Sequence, residues 1–210
     1  KHKFIARCGY LYADFMEQRF GKNHPKTKNA YDLENLVFSS ADAVIVTTSA
    51  MKEKINKNYK IDLSKINVFS NYVETERFKP DLNNNKSNNI TICFVGRLDR
   101  QKNIPPLLEA CSKVNIELTI IGEGPLEASL RKQAEVLNAN VKFMGIIPNS
   151  HLPCILNNCK IFILPSLYEG NPKALLEAMS CGLPVIWTDV PGIRELIVHG
   201  ETGWLVNTDA

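Results

Sequence analysis

An α/β fold with an open parallel sheet is what most of this chain predicts, on three observations. From Ile90 onward, short β-branched runs alternate with stretches of helical length. That alternation implies parallel strands returning through helices, with both faces of the sheet covered. The runs are bounded by Gly and Pro, with Pro125 and Pro172 fitting first helical positions and Gly182 a helix C-terminus. Hydrophobic residues make up 44% of the 210, enough for a real core.

In chain order, Lys3–Arg7 reads as a short strand and the stretch around Ala30–Ser40 as a helix. Ala43–Thr48 is a buried, β-branched strand, and Ser49 caps a helix running to about Tyr59. Lys65–Phe69 is a further strand. Residues 81–89, Asp-Leu-Asn-Asn-Asn-Lys-Ser-Asn-Asn, are polar and turn-rich, as a linker is. After it come strands at Ile90–Val95, Glu117–Ile121, Val141–Phe143, Ile161–Leu164 and Pro184–Trp187. Helices are expected at Ile104–Val114, Pro125–Leu137, Asn149–Asn157, Pro172–Ser180 and Ile193–Val198. The boundaries are 1–75 for a first domain, 76–89 for the linker and 90–210 for the second domain.

Bulk chemistry excludes several classes. The net charge of +3 does not call for nucleic acid. Basic residues gather in the first 80 positions; scattered solvated lysines account for this, and contact with an anionic membrane surface stays open. No apolar run approaches the ~18–20 residues that span a bilayer, and no secretory signal stands out. The six cysteines form no CxxC pair and no Cys/His cluster, so they read as reduced, mostly buried thiols of a cytoplasmic protein. No HExxH and no Asp-X-Asp occurs, and no metal site is expected; His151 and His199 read as surface or capping residues.

The chemistry-bearing residues follow predicted strands directly, where ligands of open parallel sheets bind. Glu169 lies in a Gly/Asn/Pro turn and Glu177 on the helix behind it. A carboxylate that accepts from sugar hydroxyls beside the positive end of a helix suggests a nucleotide-linked sugar. Arg97 and Lys102, after Gly96, supply one forked and one point-like cation of the kind a diphosphate needs. Gly122-Glu123-Gly124-Pro125 lacks the third glycine of a dinucleotide fingerprint and the Lys-Ser/Thr of a P-loop. It reads equally as a nucleoside-side turn or as a plain strand-to-helix turn.

In order, Val95-Gly96-Arg97…Lys102, Ile121-Gly122-Glu123-Gly124-Pro125, Val141-Lys142-Phe143-Met144-Gly145, Pro165…Glu169…Glu177, Cys181-Gly182-Leu183-Pro184 and Gly192-Ile193-Arg194-Glu195-Leu196-Ile197 resemble the donor-binding motifs of retaining glycosyltransferases of the GT-B fold, glycosyltransferase family 4. The resemblance spans residues 90–206. It implies a Rossmann-like C-terminal donor domain preceded by the tail of a second, Rossmann-like, acceptor-side domain. It implies a nucleotide diphosphate sugar (UDP-, GDP- or ADP-linked) as co-substrate, no separate cofactor, and a sugar or lipid-linked acceptor.

By resemblance, Arg97 and Lys102 grip the diphosphate and stabilise the leaving group, and Glu169 orients the donor sugar. Donor-binding roles fall to Gly96, Gly122, Gly124, Gly170, Asn171, Lys173, Leu176 and Glu177, the last on the ribose. Backbone groups at Met144 and Ile147 meet the base. One departure stands out: Gly170-Asn171-Pro172 replaces a run whose N–H groups touch the sugar in many members, and Pro172 has no N–H. The Asn171 side chain or Lys173 is the expected substitute.

Two other readings remain. A glycoside hydrolase would use Glu169 and Glu177 as its carboxylate pair, leaving the Arg/Lys loop unexplained. A non-catalytic nucleotide-sugar binding module is the other, because a complete first domain takes roughly 150 residues and about half that precedes the linker. The chain is accordingly read as an internal part of an enzyme of cell-envelope polysaccharide or lipopolysaccharide synthesis. Its place is cytoplasmic, with peripheral contact at the inner face of a membrane kept open.

Overall fold

The computed structural model describes residues 2–82, 90–190 and 193–207. They pack as two compact units, one within Lys1–Asn71, Tyr168–Asn171 and Pro191–Leu196, the other within Tyr72–Leu167, Pro172–Val190 and Ile197–Ala210.

The first unit contains β1 (Ile5–Cys8), α1 (Tyr12–Phe20), α2 (Pro25–Ser40), β2 (Ala43–Val46), α3 (Ser49–Tyr59) and β3 (Ile66–Val68). The strands are parallel in the order β1-β2-β3. Val44 and Val46 of the central strand are fully buried and pack with Phe38, Ile55 and Ile66. Alternate residues of one β-branched strand thus feed one core.

Three expectations change here. Thr48, not Ser49, caps α3: its side chain accepts from Met51 N, and Ser49 is already helical. α2 starts at Pro25, because His24 Nδ1 accepts from Lys26 N at 3.2 Å and Pro25 needs no partner for an N–H it lacks. The third change is α1, which had no counterpart in the sequence pattern. Its N-cap, Leu11, offers no side-chain acceptor. The buried Glu34 of α2 does so instead, accepting from Tyr12 N at 2.5 Å and from the Tyr59 hydroxyl. A cap supplied from 22 residues away leaves no local signature.

The second unit holds β4 (Thr91–Val95), α4 (Ile104–Val114), β5 (Glu117–Ile121), α5 (Glu127–Val136), β6 (Val141–Phe143), α6 (Leu152–Asn158), β7 (Ile161–Leu164), α7 (Lys173–Ser180), β8 (Val185–Thr188) and β9 (Trp204–Val206). Its six strands are parallel in the order β6-β5-β4-β7-β8-β9. Ile92, Cys93 and Phe94 are buried in succession, as are Leu118–Ile121, so the central strands are covered on both faces. This is the α/β parallel-sheet class expected from the alternation.

Element ends differ where tertiary bonds decide them. Pro125 lies in the turn before α5, and Pro172 is the N-cap of α7, so neither is a first helical residue. Gly182, at φ +73°, does end α7. Residues 193–196 make a single turn, Leu196 N to Ile193 O, instead of a helix; so short a run does not offset the cost of helix nucleation. β9 was not expected; it pairs with β8 through Trp204–Val206. Of the expected linker, residues 83–89 lie outside the described residues. Just before them, Phe78 is buried, Asn157 Nδ2 donates to Lys79 O at 3.0 Å, and Asp81 N donates to Asn157 Oδ1 at 2.8 Å.

Burial raises the Glu34 carboxyl above its ordinary 4.5, against hydrogen bonds from Tyr59, Ala13 and Tyr12. The folded chain then holds this proton more tightly than the unfolded one. Its contribution to stability is complete below the unfolded value and is lost as pH rises through the folded value. Glu34→Ala should cost about 3 kcal/mol in urea denaturation, since it strands buried donors. The stability difference between wild type and Glu34→Gln should shift in favour of the variant as pH rises through that window.

For the thiols, burial pushes Cys8 up to about 12 and Cys111 up to about 11, while Cys154 is exposed. A thiol reagent at pH ~8 should show a fast phase of about one thiol per chain, removed by Cys154→Ser, with the others reacting on denaturation.

Candidate functional site

The sequence of strands runs outward from β4 through β5 to β6, then returns to the other side of β4 for β7, β8 and β9. The order therefore reverses between β4 and β7, and the carboxyl ends of these two strands flank the crevice where open α/β sheets bind ligands. Arg97 and Lys102 follow β4; the loop leading to Glu169 follows β7. The two loops are joined directly, Leu167 N donating to Gln101 O at 2.9 Å.

Backbone bonds align the neighbouring loops. Gly96 N donates to Ile121 O at 3.0 Å, Leu98 N to Glu123 O at 2.9 Å, Leu126 N to Leu98 O at 3.0 Å and Gly122 N to Gly145 O at 2.8 Å. The approach is close enough to demand glycine. Gly122 has φ +127°, and a Cβ there would lie 2.0 Å from Gly96 O; one on Gly124 would lie 2.4 Å from Leu98 O. Packing thus accounts for both glycines without any ligand.

Arg97 projects into solvent, its side chain 72% exposed, with Nε 3.8 Å from Asp99 Oδ2. It lines an open depression of about 510 Å3 with Glu123, Gly124 and Glu127. Lys102 runs its aliphatic chain past Gly96, where Cε would lie 3.3 Å from an added Cβ. Met144 N–H is taken by Ile120 O at 2.9 Å, so any base contact at that residue falls to its carbonyl. Met144 and Ile147 are both half-buried.

On α7, Lys173 is exposed, with Nζ 5.4 Å from the centre of the Tyr72 ring, and Leu176 is half-buried. No side chain caps this helix. Glu177 is half-buried, and burial raises its carboxyl above the usual value, opposed by Asn149, Lys173 and Arg77. Asn149 Nδ2 donates to Glu177 Oε1 at 3.2 Å, and Arg77 Nη1 to Asn149 Oδ1 at 2.9 Å. Sequence reading missed Asn149 and Arg77; 72 residues separate them, and neither belongs to a recognisable spacing.

Glu169, Gly170 and Asn171 pack with the first unit, whereas the other expected site residues belong to the second. The Glu169 loop is pinned on both sides. Before it, the Tyr168 ring lies 5.6 Å from that of Phe15. After it, a Cβ on Gly170 would sit 2.0 Å from Gly9 O. Asn171 is buried; its Nδ2 donates to Thr47 O at 3.4 Å, its carbonyl accepts from Asn71 Nδ2, and its Oδ1 has no partner among the described residues.

Glu195, another residue without an expected role, accepts from Ser49 N at 3.0 Å and Ala50 N at 2.6 Å at the start of α3. Gly192 of the same motif lies outside the described residues. Of the histidines, His24 caps α2 and His199 Nδ1 accepts from Leu205 N at 3.0 Å. Among the described residues no three His, Cys, Asp or Glu side chains gather as a metal-binding group, and no helix is long and apolar enough to cross a membrane.

This is the α/β architecture of GT-B glycosyltransferases. Sucrose-phosphate synthase from Thermosynechococcus elongatus superposes with a TM-score of 0.86 at 22% identity, over 100% of this chain and 56% of that one. Residues 73–210 match the family model described as glycosyl transferases group 1, and the chain belongs to that family.

Among curated relatives it is 38% identical over 154 residues to the amylovoran biosynthesis glycosyltransferase AmsK of Erwinia amylovora, 67% of this chain and 38% of that protein. It is 32% identical over 173 residues to the UDP-Gal:α-D-GlcNAc-diphosphoundecaprenol α-1,3-galactosyltransferase of Escherichia coli, 74% of this chain and 44% of that protein. The chain thus spans less than half the length of these two relatives.

The pinned loop yields a further prediction. Gly170→Ala, by forcing the loop away from Gly9 O, should lower the melting temperature by several degrees, roughly 1–3 kcal/mol for an overpacked position. Gly145→Ala is the comparison: a Cβ there meets nothing within 4 Å, although its φ of +64° still favours glycine. It should cost less, about 1 kcal/mol.

Proposed function

We propose that the protein transfers a sugar from a nucleotide diphosphate sugar to an acceptor hydroxyl with retention of anomeric configuration. The observation that carries this reading is the reversal of strand order between β4 and β7, with the Arg97/Lys102 loop bonded to the loop that leads to Glu169. Family membership supports the transferase class.

In this reading Arg97 and Lys102 hold the diphosphate, with the uncapped first turn of α7 adding backbone donors beside it. Glu177 accepts from the ribose, and Glu169 from the sugar hydroxyls. The Asn171 amide is already spent on Thr47 O and its Oδ1 is buried, so in this reading Lys173 is the substitute for the N–H that Pro172 lacks.

The acceptor oxygen forms a bond to the anomeric carbon as the bond from that carbon to the phosphate oxygen breaks. The acceptor's proton passes to the departing phosphate on the same face of the sugar. No protein nucleophile is required. Catalysis comes from positioning and from cations facing the charge that grows on the leaving group. Arg97 and Lys102 supply that charge without a metal ion.

A UDP-sugar and a lipid-diphosphate-linked acceptor are the substrates named for the Escherichia coli relative, and amylovoran biosynthesis is named for the Erwinia one. Both support a place in polysaccharide synthesis, and the lipid-linked acceptor of the Escherichia coli relative supports peripheral contact with a membrane.

Calorimetric titration with UDP-, GDP- and ADP-sugars should give saturable binding to one nucleotide class. In the complete protein, Arg97→Ala or Lys102→Ala should each lower kcat by about 10²–10³-fold, the scale for removing one donor to a developing oxyanion, with little change in sugar selectivity. Unchanged turnover in both variants would refute their role.

A further inference from the structure

Glu177 is reached by a chain of side chains that begins at an ion pair. Arg77 Nη2 lies 2.8 Å from Glu74 Oε2. Its Nη1 donates to Asn149 Oδ1 at 2.9 Å, and Asn149 Nδ2 donates to Glu177 Oε1 at 3.2 Å. All four residues belong to the second unit.

The orientation of the Asn149 amide follows from chemistry. A guanidinium only donates and a carboxylate only accepts. Turning the amide over would set its NH2 against Arg77 and its oxygen against Glu177. Arg77 therefore fixes which face of Asn149 meets Glu177, and Asn149 fixes the rotation of the Glu177 carboxylate about its last torsion, which is otherwise soft. One oxygen is thereby engaged. The other, Oε2, has no hydrogen-bond partner among the described residues, on a side chain already half withdrawn from water. Burial raises this carboxyl above its usual value, and the Asn149 bond, Lys173 one turn earlier on α7 and Arg77 oppose that by favouring the ionised form.

We propose that Asn149, oriented by Arg77, is a positioning residue that aims Oε2 of Glu177 at the ribose of the donor and so makes the site selective for ribonucleotides. This rests on the proposed role of Glu177. A ribose hydroxyl meeting a pre-oriented carboxylate oxygen gains a charge-assisted bond without the cost of first ordering the acceptor. The ribose is remote from the reacting carbon. The interaction is thus equal in ground and transition states and appears in KM, not in kcat.

The test measures binding of UDP and GDP, each beside its 2′-deoxy and 3′-deoxy analogues, to wild type, Asn149→Ala, Asn149→Asp, Arg77→Lys and Arg77→Ala. Wild type should prefer the better-bound ribonucleotide over at least one deoxy analogue by about tenfold, the scale of one hydrogen bond to a charged group. Asn149→Ala should lose about threefold to tenfold for the ribonucleotide and nothing for that analogue, with kcat at saturating donor unchanged.

Asn149→Asp keeps the Arg77 contact but sets a carboxylate against Glu177, and should lose more than the alanine variant. Arg77→Lys should retain more of the preference than Arg77→Ala. Equal weakening of Asn149→Ala toward ribo and deoxy forms, in a protein that melts like wild type, would overturn the proposal while leaving the role of Glu177 standing. A wild type indifferent to both ribose hydroxyls would overturn the assignment of Glu177 itself, and the positioning role with it.

Discussion

Backbone meets backbone where the chain leaves β4 and β5, and the loops around the switch point of the second unit depend on that approach. Gly122 and Gly124 let the second loop lie against Gly96 and Leu98 with no side chain between them. Leu98 is fully buried, and its N–H and carbonyl are both bonded, to Glu123 O and Leu126 N. The result is a fixed platform from which Arg97 extends into solvent. A long, flexible cation selects a phosphate geometry only if its own backbone does not move.

Polar groups in the two units are held by partners far away in sequence. Glu34 caps α1, Glu195 adds to the Thr48 cap of α3 and Asn149 holds Glu177, each across tens of residues or more. Helix starts leave unsatisfied N–H groups that attract any nearby anion. At Leu11, where the local sequence offers no cap, the fold supplies a carboxylate from elsewhere. Among the described residues no side chain caps α7, as none caps α4, α5 or α6; of these starts, that of α7 follows the loop carrying Glu169 in the chain.

The family resemblance and the packing divide the work of explanation. Close backbone contact requires Gly122 and Gly124 whatever the site binds. Arg97 has no comparable structural duty: it is exposed and its nearest carboxylate is at 3.8 Å. Exposed ion pairs contribute about 0–1 kcal/mol, so its contact with Asp99 adds little to stability, and under the proposed function its charge faces a phosphate. Asn171 belongs with the packing: its side-chain amide donates to Thr47 O, and its Oδ1 is buried without a partner among the described residues.

Periodicity and punctuation by themselves determined the class of fold and nearly all of the second unit's elements. Ile104–Val114, Glu117–Ile121, Val141–Phe143 and Ile161–Leu164 stand where the pattern put them, because strand and helix periods are local properties of a chain. Motif spacing likewise located the loops carrying Arg97, Lys102 and Glu169. Only the tertiary structure decided α1, the single turn at 193–196, the pairing of β9, and the partners of Glu177 and Glu195. Apart from that turn, which the cost of helix nucleation decides, each depends on a bond between residues distant in sequence, and no local pattern encodes which distant group will arrive to make it.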